Sequence, residues 1–128
     1  MRITVFQPPY PEAATPQAAS ACQAGIRDQL QIMEPGKTEL VVLPEYANAP
    51  GLTEKETLLQ FAQNEGKAFV LEVASHAKRL EALIAMGTVC QRSGSQWVNR
   101  TWLFGNDGVA IACYDKTHLT QMERKLGL

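Results

Sequence analysis

Hydrophobic and polar residues follow two different periods along this chain, and each period predicts one kind of secondary structure. Alternation with a period of two, or a short unbroken apolar run, predicts strands at residues 2–6, 40–43, 83–90, 97–104 and 109–115. Apolar residues spaced by three and four predict a helix that Thr15 caps, with Pro16 in its first turn and its end before Pro35-Gly36. The run Leu40–Leu43 has no polar position, which is typical of a strand buried on both faces.

The middle of the chain has a second helical pattern. The stretch Thr53-Glu54-Lys55-Glu56 has the spacing of a capping box and predicts a short helix opened by Thr53. Gly66 interrupts this pattern, and a longer helix follows with the buried stripe Phe69, Val73, Ala77 and Leu80. Asn106-Asp107-Gly108 predicts the turn of a hairpin between the last two strands. The order of elements predicts one α/β unit over residues 1–128 with a partly parallel sheet.

The composition is that of an ordinary globular domain: 45% of the 128 residues are hydrophobic, 20% are charged, and the net charge is −1. Because the chain has no basic excess, it gives no indication of a nucleic-acid or acidic-membrane partner. The apolar start Ile3–Phe6 is too short for the core of a signal peptide, and no apolar run is long enough to span a bilayer. A cytoplasmic location is therefore the default expectation.

The cysteines do not form a recognisable motif. Cys22, Cys90 and Cys113 are an odd number without a Cys-x-x-Cys pair, so neither a disulfide framework nor a zinc site is predicted. Each is expected to be a small buried apolar residue, with Cys90 partly exposed at most. By strand alternation, Cys113 faces away from Lys116. No glycine-rich loop follows the first strand, so a dinucleotide site has little support.

Two strands each end in an ionisable residue. Glu45 follows the run Leu40–Leu43 and Pro44, and Lys116 follows the last strand. Ligands of α/β proteins collect at the carboxyl ends of strands, where a carboxylate can take up a proton and an ammonium can stabilise an oxyanion. The alternative is that Glu45 and Lys116 are ordinary solvated charges at the beginnings of loops.

The context of both residues resembles the nitrilase superfamily, the carbon–nitrogen hydrolases. Leu40–Tyr46 is similar to the family's signature around its catalytic glutamate, and Tyr114–Leu119 to the signature around its catalytic lysine. Further landmarks agree in order and spacing: Gln7, Gly87-Thr88, Asn99 and Asp107-Gly108. The resemblance covers the chain from Arg2 to about Leu119.

The resemblance implies roles for individual residues. Glu45 would be the general base and Lys116 the cation at the tetrahedral intermediate. Glu123 resembles a second glutamate that helps to position the first, although a surface charge at the start of a helix is an equally good interpretation. Tyr46 and His118 would shape the pocket, and for His118 a role in holding its loop by hydrogen bonds is the favoured alternative.

The resemblance also implies features that lie outside the chain. The family's nucleophile is a cysteine a few dozen residues after the lysine, and none of the three cysteines present fits that position. The family fold is an α-β-β-α sandwich, so residues 1–128 would be its N-terminal half, as a truncated product or a cut piece. The full protein would hydrolyse a small-molecule amide, N-carbamoyl amine or nitrile through a thioester, without a metal or organic cofactor, and would form homo-oligomers.

Two other interpretations remain open. The chain would be a catalytically inactive binding or assembly module if it keeps the fold but lacks the nucleophile. It would be an unrelated α/β domain if Glu45 and Lys116 lay far apart. In either family-based interpretation, half a sandwich exposes one apolar face of its sheet, which predicts association or poor solubility.

Overall fold

Five strands form a single sheet in the computed structural model, which describes residues 1–128. In the sheet they follow their order in the chain: β1 (Ile3–Val5), β2 (Leu40–Val42), β3 (Leu83–Ser93), β4 (Gln96–Phe104) and β5 (Ala110–Asp115). Neighbours are parallel from β1 to β3 and antiparallel from β3 to β5. Because β5 therefore points the same way as β1, β2 and β3, the carboxyl ends of these four strands lie along one edge of the sheet.

Four helices complete the fold: α1 (Pro16–Ile32), α2 (Lys55–Gln63), α3 (Glu65–Leu80) and α4 (Gln121–Leu126). The predicted α/β class is confirmed, and Thr15 caps α1 as expected by accepting a hydrogen bond from the Ala18 N–H at 3.2 Å. The predicted cap of α2 is wrong by one residue. Its helix starts after Glu54, whose carboxylate accepts N–H groups of both Glu56 and Thr57. None of the helices combines the length and the apolar character needed to cross a membrane, and the cytoplasmic location stays a prediction.

One face of the sheet is packed against α1 and α3. Partner residues in register point to the same face, and Val41, Ile84 and Phe104 form such a buried row across β2, β3 and β4. The helices cover this row with apolar side chains: Ile26, Leu30, Phe69, Val73, Ala77 and Leu80. The stripe predicted for the longer helix is therefore confirmed as its core face.

The opposite face, here termed the uncovered face, is apolar but exposed. Its apolar residues are Ile3, Val5, Leu40, Val42, Leu83, Ala85, Leu103, Ala112 and Tyr114. Ile3, Val5 and Tyr114 are 51%, 66% and 58% exposed. The prediction that Leu40–Leu43 is buried on both faces is therefore wrong for this chain. Val41 is fully buried under the helices, whereas Leu40 and Val42 on the other face are partly exposed.

Candidate active site

Glu45 is positioned by a segment that continues beyond β2 alongside β3. Leu43 and Ala47 donate backbone hydrogen bonds to the carbonyls of Ala85 and Gly87, each at 2.9 Å. Gly87 allows this close approach because a Cβ atom there would lie only 2.7 Å from the Cα of Glu45. Tyr46 turns the chain with a positive φ of 57°, a conformation that is uncommon outside glycine and often occurs at functional sites.

The loop after Glu45 is anchored by a buried asparagine. The side chain of Asn48 donates to the carbonyl of Val89 at 2.8 Å and accepts from its N–H at 2.9 Å. Gln23 of α1 donates to the carbonyl of Asn48 at 2.9 Å, and Gly66 of α3 packs against the same residue. The helices α1 and α3 and the strand β3 therefore all hold the loop that follows Glu45.

Lys116 and Glu123 reach the same place from the end of β5. The Lys116 N–H donates to the carbonyl of Asn99 at 2.8 Å and extends the pairing of β4 and β5 by one residue. Thr120 then caps α4 in a capping box, in which the Glu123 carboxylate accepts the Thr120 N–H at 2.7 Å. This interaction turns Glu123 inward, and its side chain is only 2% exposed.

The ammonium of Lys116 lies between the two carboxylates. Its Nζ is 3.0 Å from Oε1 of Glu45 and 3.1 Å from Oε1 of Glu123. The side-chain amide of Asn99 donates to the same two oxygens, at 2.6 Å and 2.7 Å. Tyr46 adds a hydroxyl donor to Oε1 of Glu123 at 3.2 Å. The second oxygen of Glu45, Oε2, has no hydrogen-bond partner in the chain, and the Glu45 side chain is 55% exposed.

These contacts determine the charges in the site. Burial by itself would raise the pKa of Glu123, but the Thr120 N–H, the Asn99 amide and the Lys116 ammonium outweigh it and lower the pKa to about 2. Hydrogen bonding to Glu45, supported by Glu123, raises the pKa of Lys116. Burial and the nearby Glu123 charge raise the pKa of Tyr46. At neutral pH the site therefore contains a Glu123 carboxylate, a Lys116 ammonium and an uncharged Tyr46.

A cavity of about 420 Å³ opens over this cluster, a volume suited to a small ligand. Glu45, Lys116, Glu123 and Tyr46 line one side, and the loop that follows β1, from Gln7 to Pro11, lines another. No group of three or more His, Cys, Asp or Glu side chains is arranged to hold a metal ion.

The family model described as carbon-nitrogen hydrolase matches residues 2–127. The chain belongs to the carbon–nitrogen hydrolase family. The resemblance noted in the two sequence motifs is thereby confirmed, and no curated protein matches the chain closely enough to count as a relative.

Solved structures show the same fold at low sequence identity. A carbon–nitrogen hydrolase from Helicobacter pylori G27 matches with a TM-score of 0.64 and 21% identity, covering 94% of this chain and 41% of that one. A variant of the Nesterenkonia AN1 amidase from the nitrilase superfamily matches with a TM-score of 0.69 and 18% identity, covering 99% and 47%. A CN-hydrolase superfamily protein from Xanthomonas campestris matches with a TM-score of 0.65 and 22% identity, covering 96% and 43%. The chain thus has the nitrilase-superfamily fold and spans less than half the length of these proteins.

Two expected site residues differ in their placement in this carbon–nitrogen hydrolase chain. Tyr46 lines the cavity, and its part in shaping a substrate pocket stays a prediction. His118 does not line this cavity, and its part in shaping the pocket stays a prediction. Its ring is exposed, and Nδ1 lies 3.1 Å from the Thr117 hydroxyl, which is the loop-holding contact that was the alternative.

The cysteines are more exposed than the sequence predicts. Cys22 and Cys90 are partly exposed, and burial raises the pKa of both thiols. Cys113 is exposed, and its predicted burial is wrong because β5 is the edge strand and its residues are not covered by the helices. Cys22 also lines the cavity, but its only hydrogen bond is a 3.8 Å contact with the Pro9 carbonyl. None of the three thiols is hydrogen-bonded to Glu45.

Asn99 is a site residue that the sequence reasoning did not recognise as one. In the sequence it is only a landmark of the family pattern, yet its side chain contacts both carboxylates. The sequence offers one signal: Asn99 is a polar residue in the predicted strand 97–104, in which five of the eight residues are apolar. A polar side chain at such a buried position requires hydrogen-bond partners, which only the fold identifies.

Proposed function

We propose that this protein hydrolyses a non-peptide carbon–nitrogen bond, with Glu45 as the general base and Lys116 as the cation that stabilises the tetrahedral intermediate. The observation that carries the proposal is the position of the Lys116 ammonium, 3.0 Å from Glu45 and 3.1 Å from Glu123 beside the cavity. A fixed positive charge of this kind is effective because it needs no reorganisation when the oxyanion forms.

The contacts suit each residue to a different role. Oε2 of Glu45 is free of protein hydrogen bonds, so it is available to take up and return a proton. Lys116 keeps its proton because Glu45 and Glu123 raise its pKa, so it acts as a charge and not as an acid. Glu123, with a pKa of about 2, stays ionised and holds the ammonium in place.

We further propose that the nucleophile is a cysteine outside residues 1–128, which would make this chain the N-terminal part of the hydrolase domain. Two findings support this: the chain covers only 41–48% of the length of the solved structures that it matches, and none of its own thiols is hydrogen-bonded to Glu45. The Nesterenkonia amidase, which is similar in fold, has an active-site cysteine to which acrylamide adds.

For an amide substrate, the proposed reaction has two steps. Glu45 takes the thiol proton as sulfur attacks the carbonyl carbon, and the C–N bond then breaks as Glu45 passes that proton to the leaving amine. Water next attacks the thioester and gives a proton to Glu45, and the C–S bond breaks to return the thiol. Small-molecule amides, N-carbamoyl amines and nitriles are the candidate substrates, and this route uses neither a metal nor an organic cofactor.

The decisive experiment compares the 128-residue chain with the polypeptide encoded by continuing its reading frame past Leu128. We expect the longer protein to release ammonia from small amides and the shorter chain to be inactive. Glu45→Gln should lower kcat of the longer protein by about a hundredfold or more. The control is Glu56→Gln, which makes the same change at an exposed position of α2 and should leave kcat unaltered.

Two results would reject the proposal. The first is full activity of Glu45→Gln in the longer protein. The second is activity of the 128-residue chain that survives serine substitution of Cys22, Cys90 and Cys113 together but is lost in Glu45→Gln, since the reaction would then use Glu45 without a cysteine.

A second candidate function is that of a non-catalytic binding or assembly module that forms homo-oligomers. The uncovered face favours it, because a contiguous apolar sheet surface tends to be buried against another protein surface. Concentration-dependent association in sedimentation, together with an inactive longer protein, would support this function. A hydrolytically active longer protein would refute it.

A further inference from the structure

Asn99 contacts all three charged residues of the site. Its Nδ2 lies 2.6 Å from Oε1 of Glu45 and 2.7 Å from Oε1 of Glu123, and its backbone carbonyl accepts the Lys116 N–H at 2.8 Å. Asn99 is only 3% exposed, so its own side chain is shielded from water. No other residue of the chain makes hydrogen bonds to all three.

The four polar groups form a closed ring. Oε1 of Glu45, Nδ2 of Asn99, Oε1 of Glu123 and Nζ of Lys116 alternate as acceptor, donor, acceptor and donor. An amide nitrogen carries two hydrogens, so Asn99 can serve one carboxylate with each. The Lys116 side chain can rotate about four bonds, whereas the shorter side chain of Asn99 rotates about only two and is attached to a strand. Asn99 is therefore the rigid donor of the ring.

The backbone around Asn99 explains why its side chain has this orientation. Asn99 is paired with Val89 of β3, whose own N–H and carbonyl are bonded to the side chain of Asn48. The carbonyl of Asn99 is directed to β5 and bonded to Lys116. With β3 and β5 on either side, the β4 backbone has little freedom to move the amide away from the carboxylates.

We propose that Asn99 is a positioning residue that sets the separation of Glu45 and Glu123 and so centres Lys116 between them. This rests on the proposed role of Glu45 as a general base. Binding Oε1 of Glu45 also determines which carboxylate oxygen remains free, because Oε2 is then the oxygen available for proton transfer. Without Asn99, the flexible side chain of Lys116 is the only group that bridges the two carboxylates, so their separation is no longer fixed by a rigid donor.

The test is an NMR titration of the side-chain carboxyl carbon of Glu123 in the 128-residue chain, combined with the Lys116 ammonium signal at neutral pH. In Asn99→Ala, the titration midpoint of Glu123 should rise from about 2 by about one pH unit or more, because a hydrogen bond to a carboxylate is lost. The Lys116 ammonium protons should also exchange faster with water. Asn106→Ala, an exposed asparagine in the β4–β5 turn, is the matched control and should change neither signal.

A second variant keeps the test decisive if Asn99→Ala does not fold. Asn99→Ser retains one hydroxyl donor in place of the two amide hydrogens, and we expect a smaller shift in the same direction. A natively folded Asn99→Ala or Asn99→Ser variant with both signals unchanged would overturn the proposal. This result does not depend on activity, so it is distinguishable from a failure of the proposed hydrolysis.

In a hydrolytically active longer protein, the same substitution gives a second measure. Asn99→Ala should lower kcat by about tenfold or more and leave KM nearly unaltered, because misplacement of a base affects the reaction more than substrate binding. An unaltered kcat in a natively folded variant would contradict a positioning role.

Discussion

The buried carboxylate of Glu123 makes a quantitative prediction about stability and pH. It is 2% exposed and accepts hydrogen bonds from Thr120, Asn99, Lys116 and Tyr46. Glu123→Gln keeps the size of the side chain but removes its charge and replaces one acceptor oxygen by an NH₂ group. The substitution therefore tests the electrostatic contribution with little change in packing.

The magnitude follows from the pKa of Glu123. The difference between the ordinary value of 4.5 and a folded-state value of about 2 corresponds to about 3 kcal/mol of the free energy of unfolding at neutral pH. Because the folded state binds this proton less readily than the unfolded state, the stabilisation is complete above about pH 4.5. It is lost progressively as the pH falls to about 2.

Urea unfolding followed by the fluorescence of Trp97 and Trp102 can measure this difference from pH 7 down to pH 2. We expect Glu123→Gln to be less stable than the parent chain by about 3 kcal/mol at pH 7, with the gap closing in acid. Glu56→Gln should stay within about 0.5 kcal/mol of the parent chain at every pH. A gap that is absent at pH 7, or that stays constant down to pH 2, would refute the electrostatic reasoning.

Two further predictions concern the sheet. Gly87→Ala should destabilise the chain by about 1–3 kcal/mol in urea unfolding, because its Cβ would lie 2.7 Å from the Cα of Glu45. Gly25→Ala in α1, where no atom lies within 4 Å of the new Cβ, should be neutral or stabilising, and an equal loss at both positions would contradict the close-approach argument. Val5→Glu on the uncovered face should weaken self-association in sedimentation, whereas Leu71→Glu, equally exposed on α3, should not. Association that is insensitive to Val5→Glu would exclude this face as the contact.

The elements of the fold were predictable because their signals are local. The α1 helix is specified by the spacing of its apolar residues and by the hydroxyl of Thr15, the residue immediately before it, so both signals are local. The capping-box spacing predicts the start of α2 one residue too early, because Thr53 and Glu54 are both competent caps. The carboxylate of Glu54 forms two backbone hydrogen bonds and a third with the Thr57 hydroxyl, which the spacing of the capping box does not reveal.

Burial was harder to predict than secondary structure, because it depends on what covers each face. Strand alternation correctly distinguishes the two faces of β2, yet the apolar character of Leu40 and Val42 suggested cover on both. Cys113 was expected to be buried for its residue type alone, and its exposure follows from the position of β5 at the edge of the sheet. Strand order is a property of long-range pairing that no local pattern encodes.

The sequence by itself determined the five strands and the first three helices, and through its two motifs it indicated that Glu45 and Lys116 belong to one site. Only the tertiary structure decided how that site is built. Parallel pairing of β2 with β3, and the hairpin that returns β5 to the same direction, bring the two residues to within 3.0 Å across 71 positions of the chain. The buried state of Glu123 and the bridging position of Asn99 depend on strand register and on the packing of α4, because hydrogen-bond partners distant in sequence meet only when the chain is folded.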